Sequence, residues 1–599
     1  MKNKFLLIIL GLALLFPSCQ GFLEEEFLSG ENSESITSSE QTFETLVNAS
    51  YVTLRAYYGK ENGWDLTEAG TDIYTHGLDN RSQGFCTYAS FTGGEEQERM
   101  AAMWRELYKG LNTCNLALRD IDEVPYALEE KREMRRGEVA FLRAHYLWLI
   151  VEIWGGVHFT TEPSQTAIHD ANRTPVETFY QQIFSDLHTA RTRLPDIQVG
   201  DDYGRASKAA AEAMLARCHL YRENYDSAAY YAGRVIENYD FRLLDDWSQI
   251  WNIDNIKNDE IVWAVNYSSD PVFTNAQFKD EEGNLYNTAG LIQRDGGHTG
   301  HVMWEIRYEN LSWGLTRDLE NGRGFQRWGP TKFFIDLYDE QIDERFFESF
   351  KNTWYANNEA AIPKWRPFYF IEGKRINVDR ELWAQPMFGI GDTAIFFSKT
   401  PVPESQKAKY NPDDLFYFHP EKGYLIIDIN DMYLPDGSFN NAVINRQFYF
   451  PITKRYQDRT RPELSTQFSK RDAYVFRISE MYLIAAEAKL MAGQTDAALD
   501  YINQLREARA VEGREADMRI TGDQLDLDFI LDERARELAT ENQRFLDLKR
   551  TGTLVERVRA YNPDAAPYIQ EFHQLRFIPQ TQLDAMFNAE GYQNPGYGN

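Results

Sequence analysis

The chain has 599 residues, 43% of them hydrophobic, with 63 basic against 92 acidic side chains and a formal net charge of −29. Such a balance repels phosphate backbones and anionic headgroups, which argues against nucleic-acid binding. The 4 cysteines form no C-x-x-C pair, which removes zinc ribbons and thioredoxin-like chemistry, and the length is ample for a large core or several subdomains.

Lys2 and Lys4 followed by the apolar run Phe5 to Phe16 read as a secretory signal, too short to span a bilayer comfortably. Ser18 and Cys19 resemble the lipobox of bacterial lipoproteins, in which the cysteine takes a lipid and becomes the first mature residue; Phe16 and Pro17 depart from the stricter pattern. Ordinary signal cleavage beside a chance cysteine is the other reading. Several acyl chains on Cys19 would anchor the protein stably, since two suffice. Cys86, Cys114 and Cys218 are too few and too odd in number for a disulfide framework, although a Cys86 to Cys114 bridge stays open. The segment "QGFLEEEFLSGENSESITSSE", residues 20–40, is polar and acidic and reads as a tether.

The body reads as helical ends around an irregular middle. In "EVAFLRAHYLWLIVEIWGG" the residues Val139, Leu142, Tyr146, Leu149, Ile150 and Ile153 recur at helical spacing, and Gly155 and Gly156 provide the stop. A second helix is expected from Pro175, at the first helical position, toward Leu194 and Pro195. "LARCHLYRENYDSAAYY" from Leu215 and "AAEAKLMAGQTDAALDY" from Ala485 align at an offset of 270 residues, matching Ala216 with Ala486, Leu220 with Leu490, Asp226 with Asp496, Ala228 with Ala498 and Tyr231 with Tyr501. Each reads as a helix, a turn and a second helix opened by an aspartate N-cap, with alanines that let the helices approach as in a tetratricopeptide hairpin. Between them lie strand-like runs such as "EIVWAVNY" and "QFYFPI" and a concentration of tryptophan from Trp304 to Trp383. The expected division is a signal over 1–18, Cys19 and tether over 19–40, a helical part over 41–240, an irregular binding subdomain over 241–460 and a C-terminal helical part over 461–599. The fold class is mainly α, a helical-repeat scaffold with an aromatic-rich subdomain holding a few short strands.

The C-terminus reads "ILDERARELATENQRFLDLKRTG" and then "LRFIPQTQLDAMFNAEGYQNPGY". With "RGEVAFLRAHYLWLIVEIWGGVHF", "YVFRISEMYLIAAEAKLMAG" and "GPTKFFIDLYDEQIDERF", the chain resembles the SusD/RagB family of nutrient-binding outer-membrane lipoproteins of Bacteroidetes. The resemblance is carried by Glu533, Arg534, Glu537, Leu538, Arg544, Asp547, Leu548 and Arg550, by Pro579 and Gln580, by Asn594, Pro595, Gly596 and Tyr597, and in mid-chain by Pro330, Thr331, Asp343 and Arg345. Physically these positions suit scaffold: Glu533 and Glu537 share one helix face, Arg534, Arg536 and Arg544 can pair with them or with helix ends, and "NPGY" is a turn ending in an aromatic plug. What the resemblance implies is a tetratricopeptide-like helical fold, a lipid anchor at Cys19, a place on the cell surface, and a SusC-like TonB-dependent transporter as partner. It further implies capture of an oligosaccharide, or in some members a peptide, for import.

A sugar presents C–H faces to aromatic rings and hydroxyls to Asp, Asn, Arg or Gln, which requires rings on loops. Trp304, Tyr308, Trp313 and Trp328 lie in a Gly- and Asn-rich stretch and form the expected platform, with one or two facing ligand and Trp328 equally suited to burial beside Pro330. The loop "GTDIYTHGLDNRSQGF" adds Asp72, which matches the family's aspartate near the ligand but also suits an N-cap or Asx-turn, together with Tyr74, His76, Asn80 and Arg81; Arg81 also suits an acidic sugar. His298 and His301 lack an evident third ligand, so no metal and no cofactor are expected. A glycosidase would need two carboxylates at a defined separation, which 92 acids cannot exclude, yet no G-x-S-x-G, H-E-x-x-H or P-loop is present. The chain reads as non-catalytic: an oligosaccharide-binding protein first, a peptide binder on the same scaffold second, a divergent glycosidase third.

Overall fold

The computed structural model describes residues 36–598 apart from 80, 82, 165–168, 269–276, 280–284, 288–296, 441–451, 453 and 465. Cys19 and Asn80 therefore lie outside the described residues, as does nearly all of "QFYFPI". The scaffold is helical: α1 (Glu40–Val52), α2 (Gly94–Asp120), α3 (Glu129–Trp154), α4 (Val176–Arg193), α5 (Lys208–Tyr221), α6 (Tyr225–Asn238), α7 (Ile478–Met491), α8 (Thr495–Glu507), α9 (Leu527–Leu538), α10 (Arg544–Arg550) and α11 (Leu554–Tyr561). No described helix is long and apolar enough to cross a membrane.

The local signals act as their chemistry dictates. Glu95 and Glu96 occupy the first turn of α2 and Arg119 its last, each facing the favourable end of the helix dipole. Helix α3 buries every residue from Val139 to Leu142 and ends on Gly155. Pro175 sits at the N-cap of α4, one position earlier than expected.

The repeat offset carries Lys208 onto Ile478 and Tyr225 onto Thr495, so the α5–α6 and α7–α8 hairpins have equivalent bounds. Helices α5 and α7 are buried over most of their surface, whereas Ala228, Ala232 and Val235 of α6 face inward and its other side meets solvent. Asp226 and Asp496 are not the N-caps expected for the second helices. Those positions are Asn224 and Gln494, neither of which makes a side-chain cap, and the aspartates lie in the first turn, where the dipole still favours them. Arg217 of α5 locks the two hairpins together, donating from Nε to Glu480 Oε1 at 2.8 Å and from Nη2 to Glu480 Oε2 at 2.6 Å, with its guanidinium 4.0 Å from the Phe476 ring centroid.

The motif residues near the C-terminus form a buried ionic network. Glu537 receives Arg345 at 3.1 Å, Arg477 at 3.0 Å and Arg509 at 3.0 Å, while Glu533 receives Arg506, Arg536 and Arg345. Arg345 also holds Asp343, so the mid-chain "DER" segment is clamped onto α9. Arg534 pairs with Asp547, and Arg544 reaches back to Asp72 across the chain. Burial raises the pKa of the Glu537 carboxyl, but Arg509, Arg477 and Arg345 together bring it well below its ordinary value. At the tail, the Asn594 amide donates to the carbonyls of Trp154 and Arg576, and the Tyr597 hydroxyl donates to Leu575.

Between the hairpins the backbone is irregular, with short strands β1 (Tyr74–His76), β2 (Ile261–Val265), β3 (Trp328–Pro330), β4 (Thr353–Tyr355), β5 (Phe368–Ile371), β6 (Lys374–Asn377), β7 (Thr393–Ser398), β8 (Tyr417–Phe418), β9 (Leu425–Asp428) and β10 (Ala473–Arg477). Strand β2, from "EIVWAVNY", pairs antiparallel with β10, β1 with β3, and β5 with β6. A four-stranded sheet has the order β8-β9-β7-β4, antiparallel except for the parallel β9–β7 pair. Cys86, Cys114 and Cys218 are buried and form no disulfide, so the Cys86 to Cys114 bridge is not made.

Candidate functional site

Three of the four rings of the expected platform, Trp304, Tyr308 and Trp328, are core. Trp64, on the short helix Glu61–Thr67, sits at the centre of a ring cluster with Trp304 and Trp328 each 5.8 Å away, Tyr456 at 5.6 Å and His298 at 5.6 Å. Trp304 and Trp328 are 1% and 0% exposed, and Tyr308 and Tyr74 are 0% exposed. Irregular backbone offers no continuous apolar stripe, so wide rings fill the space that regular packing would otherwise fill. Tyr308 donates its hydroxyl to the Gly322 carbonyl at 2.8 Å. Trp328 is held by strand pairing opposite His76.

The first loop is likewise scaffold. Asp72 is fully buried, and its carboxylate accepts from Arg544 Nε at 2.7 Å and from Arg557 Nε at 2.9 Å. Burial raises its pKa, and Arg544 and Arg557 more than offset this, leaving the carboxyl below its ordinary value. His76 is half-buried, donating from Nδ1 to the Gly77 carbonyl, with Nε2 3.8 Å from Asp564. Of the four described candidate residues in this loop, Asp72, Tyr74, His76 and Arg81, only Arg81 is exposed, and its backbone N–H donates to Asp79. His298 and His301 are buried, and among the described residues no group of three or more His, Cys, Asp or Glu could hold a metal ion.

Open aromatic surface occurs instead on the outer face of the four-stranded sheet. The alternation along β7 turns Ile395 and Phe397 into the core and Phe396 outward, and along β4 turns Trp354 inward. The register places Thr353 opposite Phe396 and Tyr355 opposite Thr393, with an irregularity between Trp354 and Tyr355. That irregularity re-aims the strand end, and the Tyr355 ring is 59% exposed. Tyr424, just ahead of β9, sets its ring 6.2 Å from Phe396 at 76°. Together with Phe388 these rings line an open cleft of about 570 Å³, rimmed by Asp392, Glu421 and Lys422.

The rim is built rather than loose. Gly423 holds φ +78°, and a Cβ there would lie 2.5 Å from Met387 Cβ, so only glycine closes the turn that presents Glu421, Lys422 and Tyr424. The His419 Nδ1 accepts the backbone N–H groups of Glu421 and Lys422, which requires a neutral imidazole; burial and then Lys422 lower its pKa and keep it so. Trp313, the half-buried member of the expected platform, donates its indole N–H to the Gly423 carbonyl at 2.9 Å. Of the four rings read from the sequence, Trp313 alone adjoins the cleft, as its support. Tyr424 has its pKa raised by burial and remains a phenol that can donate. The cleft thus offers ring faces, two carboxylates, an ammonium and two threonine hydroxyls within one concave surface.

Two family models match the sequence: one described as "Starch-binding associating with outer membrane" over residues 26–220, and one described as "SusD family" over residues 316–597. SusD-like protein P25 of Formosa agariphila is 25% identical over 615 aligned residues covering 100% of both chains, and SusD-like protein P38 of the same organism is 24% identical over 558, covering 92% and 91%. Among solved structures, a laminarin binding SusD-like protein superposes with a TM-score of 0.61 at 21% identity, over 93% of this chain and 100% of its own. Surface glycan-binding protein A from Bacteroides thetaiotaomicron, solved with laminarihexaose, gives 0.61 at 17% identity over 93% and 100%.

Proposed function

The chain belongs to the SusD family, and from that premise we propose that it is a non-catalytic carbohydrate-binding protein associated with the outer membrane. It captures an oligosaccharide at the cell surface, held there through a lipid on Cys19, and passes it to a SusC-like TonB-dependent transporter. Relatives named for laminarin and glycan binding support the ligand class, and the description of the N-terminal family model supports the membrane association.

The observation that carries the reading is the outer sheet face, where Tyr355, Phe396 and Tyr424 meet solvent beside Asp392, Glu421 and Lys422. A sugar ring laid on Tyr355 buries its C–H face, and its hydroxyls reach the carboxylates. Calorimetry of the native chain against a glycan panel and a peptide digest, repeated on Tyr355→Ala and Tyr424→Ala, tests it. Binding of a glycan that weakens in both variants supports the reading; binding of peptides alone, or glycan affinity unchanged in both variants, refutes it.

A further inference from the structure

Beside the cleft, residues 363–386 carry the β5–β6 hairpin, turned at Glu372 and Gly373 with φ of +49° and +74°, a geometry that suits hairpin twist. One face of the hairpin is anchored: Tyr369 and Ile371 pack on Trp365 and Phe418 in a satellite core that also takes in Met387 and Phe388 of the cleft wall. The other face is open. Phe370 pairs with Arg375 across the hairpin and with Lys409 on its far side, and Phe368 pairs with Asn377, so all five side chains share that face. Strand β6 is exposed along its whole length and β5 is half-exposed.

Cations gather on and beside this hairpin. Lys364, Arg366, Lys374, Arg375, Arg380 and Lys409 make no ion pair among the described residues, although the protein has 92 acidic side chains to choose from. Four of them lie on rings instead: Arg375 is 3.9 Å from the Phe368 centroid, Arg366 4.5 Å from Tyr410, Lys409 4.6 Å from Tyr417, and Arg380 5.9 Å from Trp383. Stacking orders the cations without neutralising them, leaving their donors free for an anion. The same stretch, 363–386, also carries Glu372, Asp379 and Glu381, so its five cations exceed its acids by two; acids more than about 8 Å away are screened at physiological salt.

We propose that this face binds an acidic glycan, one bearing carboxylate or sulfate groups, with a sugar C–H surface on Phe370 and the anionic groups on Arg375, held by its stacking on Phe368, and on Lys409. Arg375 supplies the planar donor fork that matches such groups. The site is distinct from the sheet-face cleft and extends the ligand class, and it rests on the reading of the protein as a carbohydrate binder.

The full chain is titrated with three probes: an oligogalacturonate, a sulfated carrageenan oligosaccharide and laminarihexaose. One or both acidic probes are expected to bind, the two arms separating carboxylate from sulfate, with affinity falling at least tenfold between about 50 and 300 mM salt. The double variant Arg375→Ala with Lys409→Ala loses about tenfold or more, as removal of charge-assisted bonds implies, while its melting temperature and the response to laminarihexaose stay native. Tyr355→Ala leaves acidic-probe binding unchanged. Acidic binding that ignores the double substitution, or binding to phosphatidylglycerol vesicles with no acidic probe bound, overturns the proposal. Neutral binding that depends on Tyr355, without any acidic binding, removes this site and leaves the carbohydrate reading standing; no glycan binding of any kind removes both.

Discussion

Replacing Glu537 by Gln tests the ionic network that ties the family motif to the body. The side chain is 0% exposed, and its two oxygens accept four bonds: from Arg477 Nη1 and Arg509 Nη2 at 3.0 Å each, and from Arg345 Nη1 and Arg509 Nε at 3.1 Å each. The amide keeps the volume but removes the charge and turns two N–H donors toward three guanidinium groups. Arg477 retains Glu260 and Glu541, Arg345 retains Asp343 and Glu533, and Arg509 retains Glu260, so no cation is wholly abandoned. Breaking a buried pair typically costs about 3–5 kcal/mol, and the retained partners place this case near 3. With an unfolding entropy of about 2.1 cal/mol/K per residue over roughly 560 residues, 3–5 kcal/mol lowers Tm by about 3–4 °C. Calorimetry at pH 7 measures it, with Asp517→Asn at the exposed Arg514 pair as a control that leaves Tm in place. The folded pKa of Glu537 is depressed, so its stabilisation is present above the unfolded value near 4.3 and is lost as pH falls through the folded pKa. The variant therefore also shows a shallower loss of Tm below about pH 4.5. A Tm within 1 °C of native, or an unchanged acid slope, refutes the reasoning.

Glu68 titrates in the opposite sense. Its buried carboxyl is raised to about 8 by burial, so the folded state prefers the protonated form and stability declines from about pH 4.5 toward 8; Glu68→Gln should raise Tm at pH 8 by more than at pH 5. Trp328→Ala removes a fully buried indole and should destabilise by about 3–5 kcal/mol in calorimetry, while glycan affinity of the folded variant stays native. Tyr355→Ala should weaken glycan binding by roughly 0.5–1.5 kcal/mol, about 2- to 12-fold, read by titration. Gly423→Ala forces a Cβ into Met387 and should cost affinity at the cleft with the far helical hairpins intact by circular dichroism.

The helical scaffold was legible because its signals are local. Alanine-rich hairpins repeated at one offset, and the Gly155 stop and the Glu533–Glu537 spacing mark structure within a few turns of themselves. The ring positions were not legible for the opposite reason. Glycine and asparagine around Trp304 and Trp328 read as exposed loop, but the packing partners, Trp64 and Tyr456, come from distant segments that no spacing reveals. The ion pairs of Asp72 were hidden by the same cause, its partners lying at 544 and 557. The sheet-face rings did leave a trace: "TAIFFS" over β7 alternates with Phe396 outward, and Trp354 beside Tyr355 is one ring in and one out. The period of two was interrupted by the irregularity in β4, which hid which of the two aromatics faces water.

A crystal structure of the protein with a captured oligosaccharide tests the central claim most directly. The account predicts a sugar ring within about 4.5 Å of the Tyr355 or Tyr424 ring, with hydroxyls reaching Asp392 or Glu421. A ligand seated elsewhere with that sheet face left bare would contradict it.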